Sequence, residues 1–298
     1  MNHNWPVPAL VLTAGLGTRL RPLTDRRAKP ALPVGDEALV CRVLRQLSAQ
    51  GIRDAILNLH HLPASVARAV GDGGGTGLRV RYSWEQPRLL GSAGGIRHAL
   101  PLVEGNTLLV VNGDSMCDLP LATLVDDHHD TGALVTLGLI PHPALRKYGG
   151  VLLSPDGVVT GFPGRSSELP TWHYPGIQVV EREAFDGVPD NEPAESVRQV
   201  YPALMANRPG SVRGRVFDAS WVDVGTIEDY LTTCRELAGD GSGNVVGPGS
   251  RVDPTAVLAH TVVWPGGRVE AACRLTGCVV TDEAVVPEGT VGTGRVFV

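Results

Sequence analysis

The residues whose types and spacing could carry chemistry are concentrated near the N-terminus, where residues 12–34 read LTAGLGTRLRPLTDRRAKPALPV. This stretch directly follows a short apolar run that predicts a strand. Small residues let backbone N–H groups approach a phosphate closely, and the stretch has them at Ala14, Gly15 and Gly17. The composition and position of the stretch predict a loop that cradles a triphosphate.

The cations Arg19 and Lys29 lie in the same stretch and can supply positive charge. The whole chain carries 26 Lys and Arg against 31 Asp and Glu, a net charge of −5. No basic stripe is visible, which argues against a nucleic-acid partner. An anionic substrate must then be met by a few local cations, and these two are the first candidates.

The loop differs from two common nucleotide-binding motifs. No GK[ST] follows at the spacing of a Walker A loop, and Leu20 stands where the Rossmann fingerprint requires its third glycine. A GxG sequence alone is often only a tight turn. The sequence therefore predicts a phosphate loop of another kind.

The elements that must position this loop alternate between strands and helices. Apolar runs predict strands at Ala9–Thr13, Ala55–Leu59, Leu78–Trp84 and Thr107–Asn112, and helical spacing predicts helices at Ala38–Gln50, Leu62–Val70 and Ser92–Leu100. This alternation predicts an α/β fold, a Rossmann-like, mostly parallel mixed sheet flanked by helices. Ligands of such sheets bind beyond the carboxyl ends of the strands, so the residues after Thr13 and Asn112 are expected to carry chemistry.

The second half is less regular and ends in a change of pattern. Strands are predicted at Ala133–Ile140, Gly150–Leu153, Gly176–Val180 and Ser211–Phe217, and helices at Ala194–Ala206 and Ile227–Ala238. GDGSG at 239–243 has the composition of a linker. We therefore predict one domain over residues 1–238 and a second over residues 244–298.

Apolar anchors recur at nearly constant intervals in the second domain. They fall at Val246, Val252, Leu258, Val263, Val269, Leu275, Val280 and Val286. Every third anchor repeats the same interval, so Val246, Val263 and Val280 are equally spaced. This spacing is typical of the hexapeptide repeat of a β-helix, in which each triangular coil buries its interior by stacking on its neighbours. A set of irregular hairpins is the alternative.

The composition describes an ordinary globular protein, with 43% hydrophobic and 19% charged residues. No stretch approaches the ~18 apolar residues of a membrane span, and the N-terminus lacks the features of a signal peptide. The five scattered cysteines include no CxxC pair, which favours reduced thiols. We expect a soluble, cytoplasmic protein with no membrane partner.

The complete loop sequence resembles the signature of the sugar-1-phosphate nucleotidyltransferases, the NDP-sugar pyrophosphorylases. Further segments resemble the same family in the expected order: WEQPRLLGSAGGI at 84–96, LVVNGDS at 109–115, KYGGV at 147–151, YPGIQVV at 174–180 and WVDVGT at 221–226. The tail TVVWPGGRVEAACRLTGCVV at 261–280 is similar to the tails of bacterial mannose-1-phosphate guanylyltransferases. The resemblance implies a catalytic domain over residues 1–238 and a left-handed β-helix over residues 244–298, and the handedness rests on the resemblance alone.

The resemblance implies transfer of a nucleotidyl group from a nucleoside triphosphate to a sugar 1-phosphate, which releases pyrophosphate. Arg19 is expected to bind the β and γ phosphates, and Lys29 the region of the α phosphate. Asp114 and Asp223 are expected to hold Mg²⁺, because two carboxylates suit a hard cation that bridges phosphates. Arg19, Lys29 and Asp114 are thus the predicted catalytic residues. The predicted nucleotide-binding residues are Leu12, Ala14, Gly15, Gly17, Thr18, Gln86 and Gly91.

The sugar side departs from the family pattern. Gly149 and Gly176 match the sugar-contacting glycines of the family. However, the Glu-Lys-Pro segment whose lysine binds the sugar phosphate is absent, because the corresponding region reads GFPGRSSELPTWHYPGIQ. Arg165 is the only nearby cation, and we predict that it replaces the missing lysine, with a plain surface loop as the alternative.

Several functional alternatives remain open at this point. GTP and a mannose 1-phosphate-like acceptor are favoured because of the tail. UTP, dTTP and a cyclitol phosphate acceptor are the runners-up. A non-catalytic regulatory relative that binds NDP-sugar is the alternative of another class, and an unrelated α/β binding protein is a third. The β-helix is expected to support a homo-oligomer through its exposed coil edges, rather than to act as an acyltransferase with His260 as its base.

Overall fold

A computed structural model describes residues 7–144, 146–165, 167, 169–238 and 243–298. Its helices are α1 (Leu23–Arg26), α2 (Leu39–Ala49), α3 (Pro63–Val70), α4 (Gly91–Ala99), α5 (Leu121–Thr131), α6 (Tyr201–Asn207) and α7 (Ile227–Leu237). Short 3₁₀ turns cover Thr18–Leu20, Lys29–Ala31, Gly74–Thr76, Leu100–Leu102 and Arg182–Phe185, and Ser196–Val200 is π-helical. None of the helices in these ranges has the length and apolar character that a membrane span requires.

The strands follow each other along the chain in two groups. Residues up to 223 form β1 (Ala9–Leu12), β2 (Pro33–Val34), β3 (Glu37–Ala38), β4 (Asp54–Leu59), β5 (Arg79–Trp84), β6 (Thr107–Asn112), β7 (Ser115–Cys117), β8 (Val135–Pro141), β9 (Leu152–Leu153), β10 (Val159–Gly161), β11 (Trp172–His173), β12 (Ile177–Glu181), β13 (Val212–Val216) and β14 (Trp221–Asp223). The tail forms β15 (Val245–Val246), β16 (Arg251–Val252), β17 (Val257–Ala259), β18 (Val262–Val263), β19 (Arg268–Val269), β20 (Arg274–Thr276), β21 (Val279–Val280), β22 (Val285–Val286), β23 (Val291–Thr293) and β24 (Val296–Phe297).

The chain divides into two compact units, each built from separate stretches of sequence. The first, here called the sheet unit, contains the chain up to Gly15 together with residues 43–60 and 70–221. The second, here called the coil unit, contains residues 16–42, 61–69 and 222–298. The predicted boundary between residues 238 and 244 stays a prediction, and residues 239–242 of the predicted linker lie outside the described residues.

An eight-stranded mixed sheet forms the centre of the sheet unit, in the order β11-β8-β12-β6-β1-β4-β5, with β13 also paired to β8. The strands β6, β1, β4 and β5 are parallel, whereas β12 is antiparallel to both of its neighbours. The inner strands are continuous apolar runs because the sheet is covered on both faces. The predicted α/β class and mostly parallel mixed sheet are confirmed.

Helix α2 shows how spacing along the sequence determines burial. Its apolar residues recur every three or four positions, as on one face of a helix. Leu39, Val43, Leu44 and Leu47 are all at most 3% exposed. On the sheet itself, Leu10, Ile56 and Val110 belong to one apolar cluster with Ile96 of α4. This packing fixes the strands whose carboxyl ends carry the predicted functional loops.

The tail of the coil unit is a stack of short coils with a fixed period. Parallel ladders join β15-β18-β21-β24, β16-β19-β22 and β17-β20-β23. The ladder pairs Val246 with Val263 and Val263 with Val280, so the predicted repeat of one coil per interval between these valines is confirmed. The core of the stack agrees with the predicted short left-handed β-helix. It contains Val263, Val269, Leu275, Val280 and Val286.

One predicted anchor of the β-helix is wrong. Val246 is 52% exposed, although an inward position was expected from the repeat. It belongs to the first coil, and among the described residues this coil is paired with a stacked neighbour on one side only. The end of a stack cannot bury its side chains as the middle does.

Candidate active site

The predicted phosphate loop begins at the end of β1 and is anchored there by the buried polar pair Thr13 and Asn58. The backbone N–H of Thr13 donates to Asn58 Oδ1 over 2.6 Å, and the Thr13 hydroxyl donates to the backbone carbonyl of Asn58. Leu12 is half-buried and Ala14 is buried, whereas Gly15 is exposed and has open space around the position of a Cβ. The exposed part of the loop therefore starts at Gly15.

Asn58 also contacts the segment that contains the predicted nucleotide-binding residues Gln86 and Gly91. Its Nδ2 donates to Glu85 Oε1 over 2.7 Å, and Glu85 Oε2 accepts the backbone N–H of Leu90 over 2.8 Å. Glu85 is fully buried, whereas the neighbouring Gln86 is exposed and Gly91 begins α4. A buried carboxylate that accepts two hydrogen bonds fixes the backbone on either side of Gln86.

Sequence reasoning missed Asn58 and Glu85. The available signal was a polar residue within the apolar run DAILNL and an acidic residue within WEQP. Neither residue indicates its partner, because strand pairing alone brings them together. Both support the predicted nucleotide-binding residues, although neither was assigned a role from the sequence.

Asp114 lies two residues beyond β6, next to the start of the phosphate loop. Strands β1 and β6 pair in register, with Leu12 opposite Asn112. Gly113 donates its N–H to the Leu12 carbonyl over 2.9 Å, and a Cβ at Gly113 would lie 2.6 Å from the Thr13 side chain. Asp114 is half-buried. The sheet thus brings the predicted acidic residue to the carboxyl ends of the same strands as the loop.

Gly176 of the predicted sugar-contacting pair has a close neighbour. Its φ is +90°, and a Cβ at this position would lie 2.2 Å from Asn112 Nδ2. The Gly176 carbonyl accepts the Asn112 N–H over 2.8 Å. The segment from 174 to 176 can therefore approach the end of β6 only with glycine at this position.

The second glycine that was predicted to contact the sugar, Gly149, is exposed and contacts the loop that contains Arg165. The Pro163 carbonyl accepts the N–H of Gly150 over 3.0 Å and lies 3.4 Å from a Cβ built at Gly149. Arg165 is exposed, two residues further on. The structure therefore places the predicted replacement cation in a loop that contacts Gly149 and Gly150.

Four ring side chains surround the same region and were not predicted. His142 Nε2 is 3.2 Å from the Gly149 carbonyl. The ring of His173 lies 5.4 Å from that of His142, 5.0 Å from that of Tyr148 and 4.3 Å from that of Trp221. Within the described residues, both ring nitrogens of His173 and Nε1 of Trp221 are buried without a hydrogen-bond partner. Burial and the nearby His142 lower the pKa of His173 to about 4, so its ring is neutral at pH 7.

The other predicted charged residues come together within the coil unit. Gly17 has a φ of +61° and starts the 3₁₀ turn that carries Thr18 and Arg19, both of which are exposed. Lys29 is only 6% exposed, and its Nζ lies 3.5 Å from Asp223 Oδ1. A Cβ at Gly225 would lie 2.7 Å from Asp223 Oδ2 and 3.2 Å from Arg19 Nη1. Arg19, Lys29 and Asp223 therefore form one charged cluster.

Each of the two predicted metal carboxylates has the donor chemistry that a hard divalent cation prefers. Asp114 lies two residues beyond β6, and Asp223 ends β14. Carboxylate oxygens suit a cation that keeps several waters and shares phosphate oxygens with a substrate. His60 and His61 are adjacent in the sequence, and each of them has a backbone carbonyl as its partner. His60 Nδ1 lies 2.8 Å from the Glu85 carbonyl, and His61 Nε2 lies 2.8 Å from the Thr24 carbonyl.

Comparison with known proteins identifies the family of the chain. The sequence profile of the family described as nucleotidyl transferase matches residues 8–239. The chain is 33% identical to a mannose-1-phosphate guanylyltransferase of Mycobacterium tuberculosis, across 96% of this chain and 82% of that protein. It is 33% identical to the N-acetylmuramate alpha-1-phosphate uridylyltransferase of Neisseria meningitidis, across 78% and 98%. It is also 28% identical to a UTP–glucose-1-phosphate uridylyltransferase of Synechocystis, across 93% and 76%.

A solved structure shares the fold. HddC from Yersinia pseudotuberculosis, complexed with GMP-PN, has a TM-score of 0.68 at 21% identity, across 78% of this chain and 99% of that one. Members of the matched family generally depend on a divalent metal ion. Because the family profile covers most of the chain and the relatives match along nearly its whole length, this protein belongs to the nucleotidyl transferase family and is a nucleotidyltransferase.

Proposed function

We propose that the protein transfers a nucleotidyl group from a nucleoside triphosphate to a sugar 1-phosphate, giving an NDP-sugar and pyrophosphate. The observation that carries this proposal is the charged cluster, in which Lys29 Nζ lies 3.5 Å from Asp223 Oδ1 and Arg19 lies beside the same loop. A protein of net charge −5 places both Arg19 and Lys29 in the stretch that contains its glycine-rich loop. This arrangement suits the phosphates of a nucleotide.

In the proposed reaction, an oxygen of the sugar phosphate attacks the α phosphorus of the nucleotide. A new phosphorus–oxygen bond forms, and the bond from the α phosphorus to the bridging oxygen breaks as pyrophosphate leaves. The nucleophile is already ionised at pH 7, because the second pKa of a phosphate monoester is about 6. The protein therefore needs no general base, and its task is to neutralise charge and to hold the groups in line.

Each predicted residue has a role in this reaction. Arg19 binds the β and γ phosphates and the leaving pyrophosphate, and Lys29 binds near the α phosphate. Thr18 and the small residues of the loop present backbone N–H groups to the triphosphate, while Gln86 and Gly91 contact the base. On the acceptor side, Gly149 and Gly176 give the sugar room to approach, and Arg165 meets its phosphate.

Asp114 and Asp223 are the proposed ligands of Mg²⁺. When bound, this ion neutralises phosphate charge and keeps the triphosphate in its reactive arrangement. Removing Mg²⁺ with a chelator is expected to abolish turnover, and adding it back to restore turnover.

The favoured substrates are GTP and mannose 1-phosphate. The relative from Mycobacterium tuberculosis, named as a mannose-1-phosphate guanylyltransferase, supports this choice. Two of the relatives are named as uridylyltransferases, so UTP is the second candidate nucleotide. Since these substrates belong to cytoplasmic metabolism, we also propose a cytoplasmic location, and the exposed edges of the β-helix favour a homo-oligomer.

The experiment is a matrix of pyrophosphate-release assays with Mg²⁺. GTP, UTP, dTTP, CTP and ATP are each combined with mannose, glucose and N-acetylhexosamine 1-phosphates and with a cyclitol phosphate. Strong turnover of one pair is expected and identifies both substrates. In the active pair, Lys29→Gln is expected to lower kcat/KM by about 100- to 1,000-fold, the usual cost of removing a positioned charge.

The control is Arg251→Gln, which removes one positive charge from an exposed position in the β-helix. It is expected to keep full activity. Tight nucleotide binding without turnover in any combination would contradict the proposal and favour a regulatory protein that binds NDP-sugar. Equal losses in Lys29→Gln and Arg251→Gln would contradict the role of Lys29.

A further inference from the structure

The segment that carries Lys29 is fastened at both of its ends to the β-helix. This segment, here called the lysine segment, runs from Arg27 to Pro33 within the coil unit. Its middle is the 3₁₀ turn Lys29–Ala31, in which Leu32 N–H donates back to the Lys29 carbonyl over 3.1 Å. A single short turn has little stability of its own, so its position depends on what holds its ends.

The first attachment is a two-point ion pair. Arg27 donates from Nε to Asp282 Oδ2 and from Nη2 to Asp282 Oδ1, both over 2.6 Å. The guanidinium carbon of Arg27 also lies 5.5 Å from the centre of the Trp264 ring. A paired guanidinium and carboxylate fix orientation as well as distance. Both side chains are about a quarter exposed, at 27% and 28%, so the contact is worth more for geometry than for stability.

The second attachment is a buried chain of hydrogen bonds. Trp264 Nε1 donates to the Tyr230 hydroxyl over 2.9 Å, and that hydroxyl donates to the Pro33 carbonyl over 2.6 Å. Trp264 and Tyr230 are both fully buried. Burial raises the pKa of the Tyr230 phenol well above its usual range, so its proton stays in place for this donation.

The partner of Lys29 is connected to the same buried pair. Asp223 ends β14, and Thr226 caps α7 by accepting the Asp229 N–H over 3.1 Å. Tyr230 lies in the first turns of this helix. Consequently, the lysine segment and the helix that follows Asp223 both meet at the Tyr230 hydroxyl, which Trp264 of the β-helix holds.

We propose that the β-helix positions the nucleotide-binding lysine, with Asp282 and Trp264 acting through Arg27 and Tyr230 to set the place of Lys29 against the triphosphate. This inference rests on the proposed function of Lys29. Asp282 and Trp264 are positioning residues, because neither contacts the charged cluster directly. The β-helix then contributes to the geometry of the proposed transferase site.

A purely structural attachment is the competing explanation, and it predicts a different pattern. If Asp282 only stabilised the fold, its loss would lower the melting temperature and leave the kinetics of the folded protein intact. If it positions Lys29, its loss lowers kcat while the KM of the sugar phosphate stays constant. A misplacement of about 1 Å in a reacting group can cost roughly 100-fold in rate.

The test uses the full chain with Asp282→Asn, Arg27→Gln and the double variant. Asp253→Asn is the matched control, because Asp253 is also an aspartate of the β-helix, but its carboxylate accepts hydrogen bonds from the N–H and hydroxyl of Thr255 in its own turn. Asp282→Asn is expected to lower kcat about tenfold or more, with an unchanged KM for the sugar phosphate. Asp282→Glu keeps the carboxylate and is expected to recover most of the rate. The double variant is expected to lose no more than either single variant, as for two residues that act together.

Hydrogen–deuterium exchange gives a readout that does not require catalysis. The amides of Ala31 and Leu32, which are bonded within the turn, are expected to exchange faster in Asp282→Asn and not in Asp253→Asn. Unchanged exchange and unchanged kcat in Asp282→Asn would overturn the inference. Faster exchange with unchanged kcat would also overturn it, since the attachment would then order the segment without affecting the reaction.

Failure of the proposed function would look different. In that case, the wild-type protein would release no pyrophosphate from any substrate pair. The comparison of Asp282→Asn with Asp253→Asn would then use the affinity for the nucleoside triphosphate, measured by calorimetric titration. Equal affinities in the two variants would overturn the positioning role, and a selective loss in Asp282→Asn would support it.

Discussion

Asn58 and Glu85 share a buried hydrogen bond of 2.7 Å, and this contact connects the two segments proposed to hold the nucleotide. On one side, Asn58 Oδ1 receives the N–H of Thr13 at the start of the phosphate loop. On the other side, Glu85 receives the N–H of Leu90, just before Gly91. The triphosphate and base segments are therefore parts of one hydrogen-bonded unit, and a change at either residue should affect nucleotide binding.

Glu85→Gln tests this unit. Glutamine offers one oxygen and one NH₂ group, so one of the two donors that face Glu85 would lose its acceptor. An unsatisfied buried group of this kind costs about 1–3 kcal/mol, and we expect the free energy of unfolding to fall by that amount. Nucleotide affinity should fall as well. Urea denaturation and nucleotide titration measure the two effects.

Glu104→Gln is the control for Glu85→Gln. The side chain of Glu104 is 80% exposed, and its ion pair with Arg81 spans 3.8 Å. Its substitution should change the free energy of unfolding by less than about 0.5 kcal/mol. Similar effects of the two substitutions would show that the buried carboxylate has no special role.

Gly176→Ala tests the close approach between the segment from 174 to 176 and the end of β6. The added methyl group would lie 2.2 Å from Asn112 Nδ2, in a backbone conformation with a φ of +90°. Gly210→Ala is a matched control, because Gly210 has a φ of +82° and open space around a Cβ. The control should lose about 1–2 kcal/mol of unfolding free energy from backbone strain alone. Gly176→Ala should lose clearly more in urea denaturation, and equal losses would contradict the close approach.

His173 should make stability depend on pH in a defined range. Its pKa is lowered from 6.5 to about 4 in the folded protein, so the unfolded chain binds the proton more readily. The stability linked to the neutral ring is complete above the unfolded pKa of 6.5 and is lost as the pH falls towards about 4. The shift corresponds to about 3 kcal/mol.

The variant for this prediction is His173→Phe, which cannot be protonated. Its free energy of unfolding, measured between pH 7.5 and 4, should fall less steeply with decreasing pH than that of the wild type. The two curves should run parallel above pH 7. Parallel curves throughout the acidic range would show that His173 is protonated as easily in the folded protein as in the unfolded one.

Arg165→Gln tests the predicted replacement for the missing lysine. If Arg165 meets the sugar phosphate, its loss should raise the KM of the sugar phosphate about tenfold and leave the KM of the nucleotide unchanged, as for a charge-assisted contact. Arg146→Gln, at another exposed arginine nearby in sequence, is the control. Steady-state kinetics with each substrate varied in turn measure both constants. Equal effects of the two substitutions would show that Arg165 is a surface residue that does not bind the sugar phosphate.

The sequence predicted features that depend on local or periodic patterns. The sequence alone indicates the loop from Leu12 to Gly17 and the strand before it. It also indicates the strand that ends at Asn112 and the regular period of the coils. In each case, a residue type has a direct physical consequence at its own position. A small residue leaves room for a phosphate, and a repeated apolar residue needs a repeated place in the core.

The supporting contacts could not be predicted because they join distant residues. Arg27 and Asp282 are 255 positions apart, and nothing in either residue type points to the other. His142 and His173 come together only because β8 and β11 are paired. Asn58 can be recognised as a polar residue within an apolar strand. Its partners Thr13 and Glu85, however, are determined by the order of the strands in the sheet. Such pairs require the topology, which local patterns do not specify.

The coil unit is assembled from stretches that lie far apart in the sequence, and this has a consequence for synthesis of the protein on the ribosome. Residues 16–42 are made early, but the attachment of Arg27 to Asp282 must wait until 255 further residues have been added. At synthesis rates of about 5–20 residues per second, this delay is roughly 10–50 seconds. During that time the sheet unit can form, whereas the lysine segment lacks its attachment to Asp282. The contact between Arg27 and Asp282 can therefore form only late in synthesis, after most of the chain has been made.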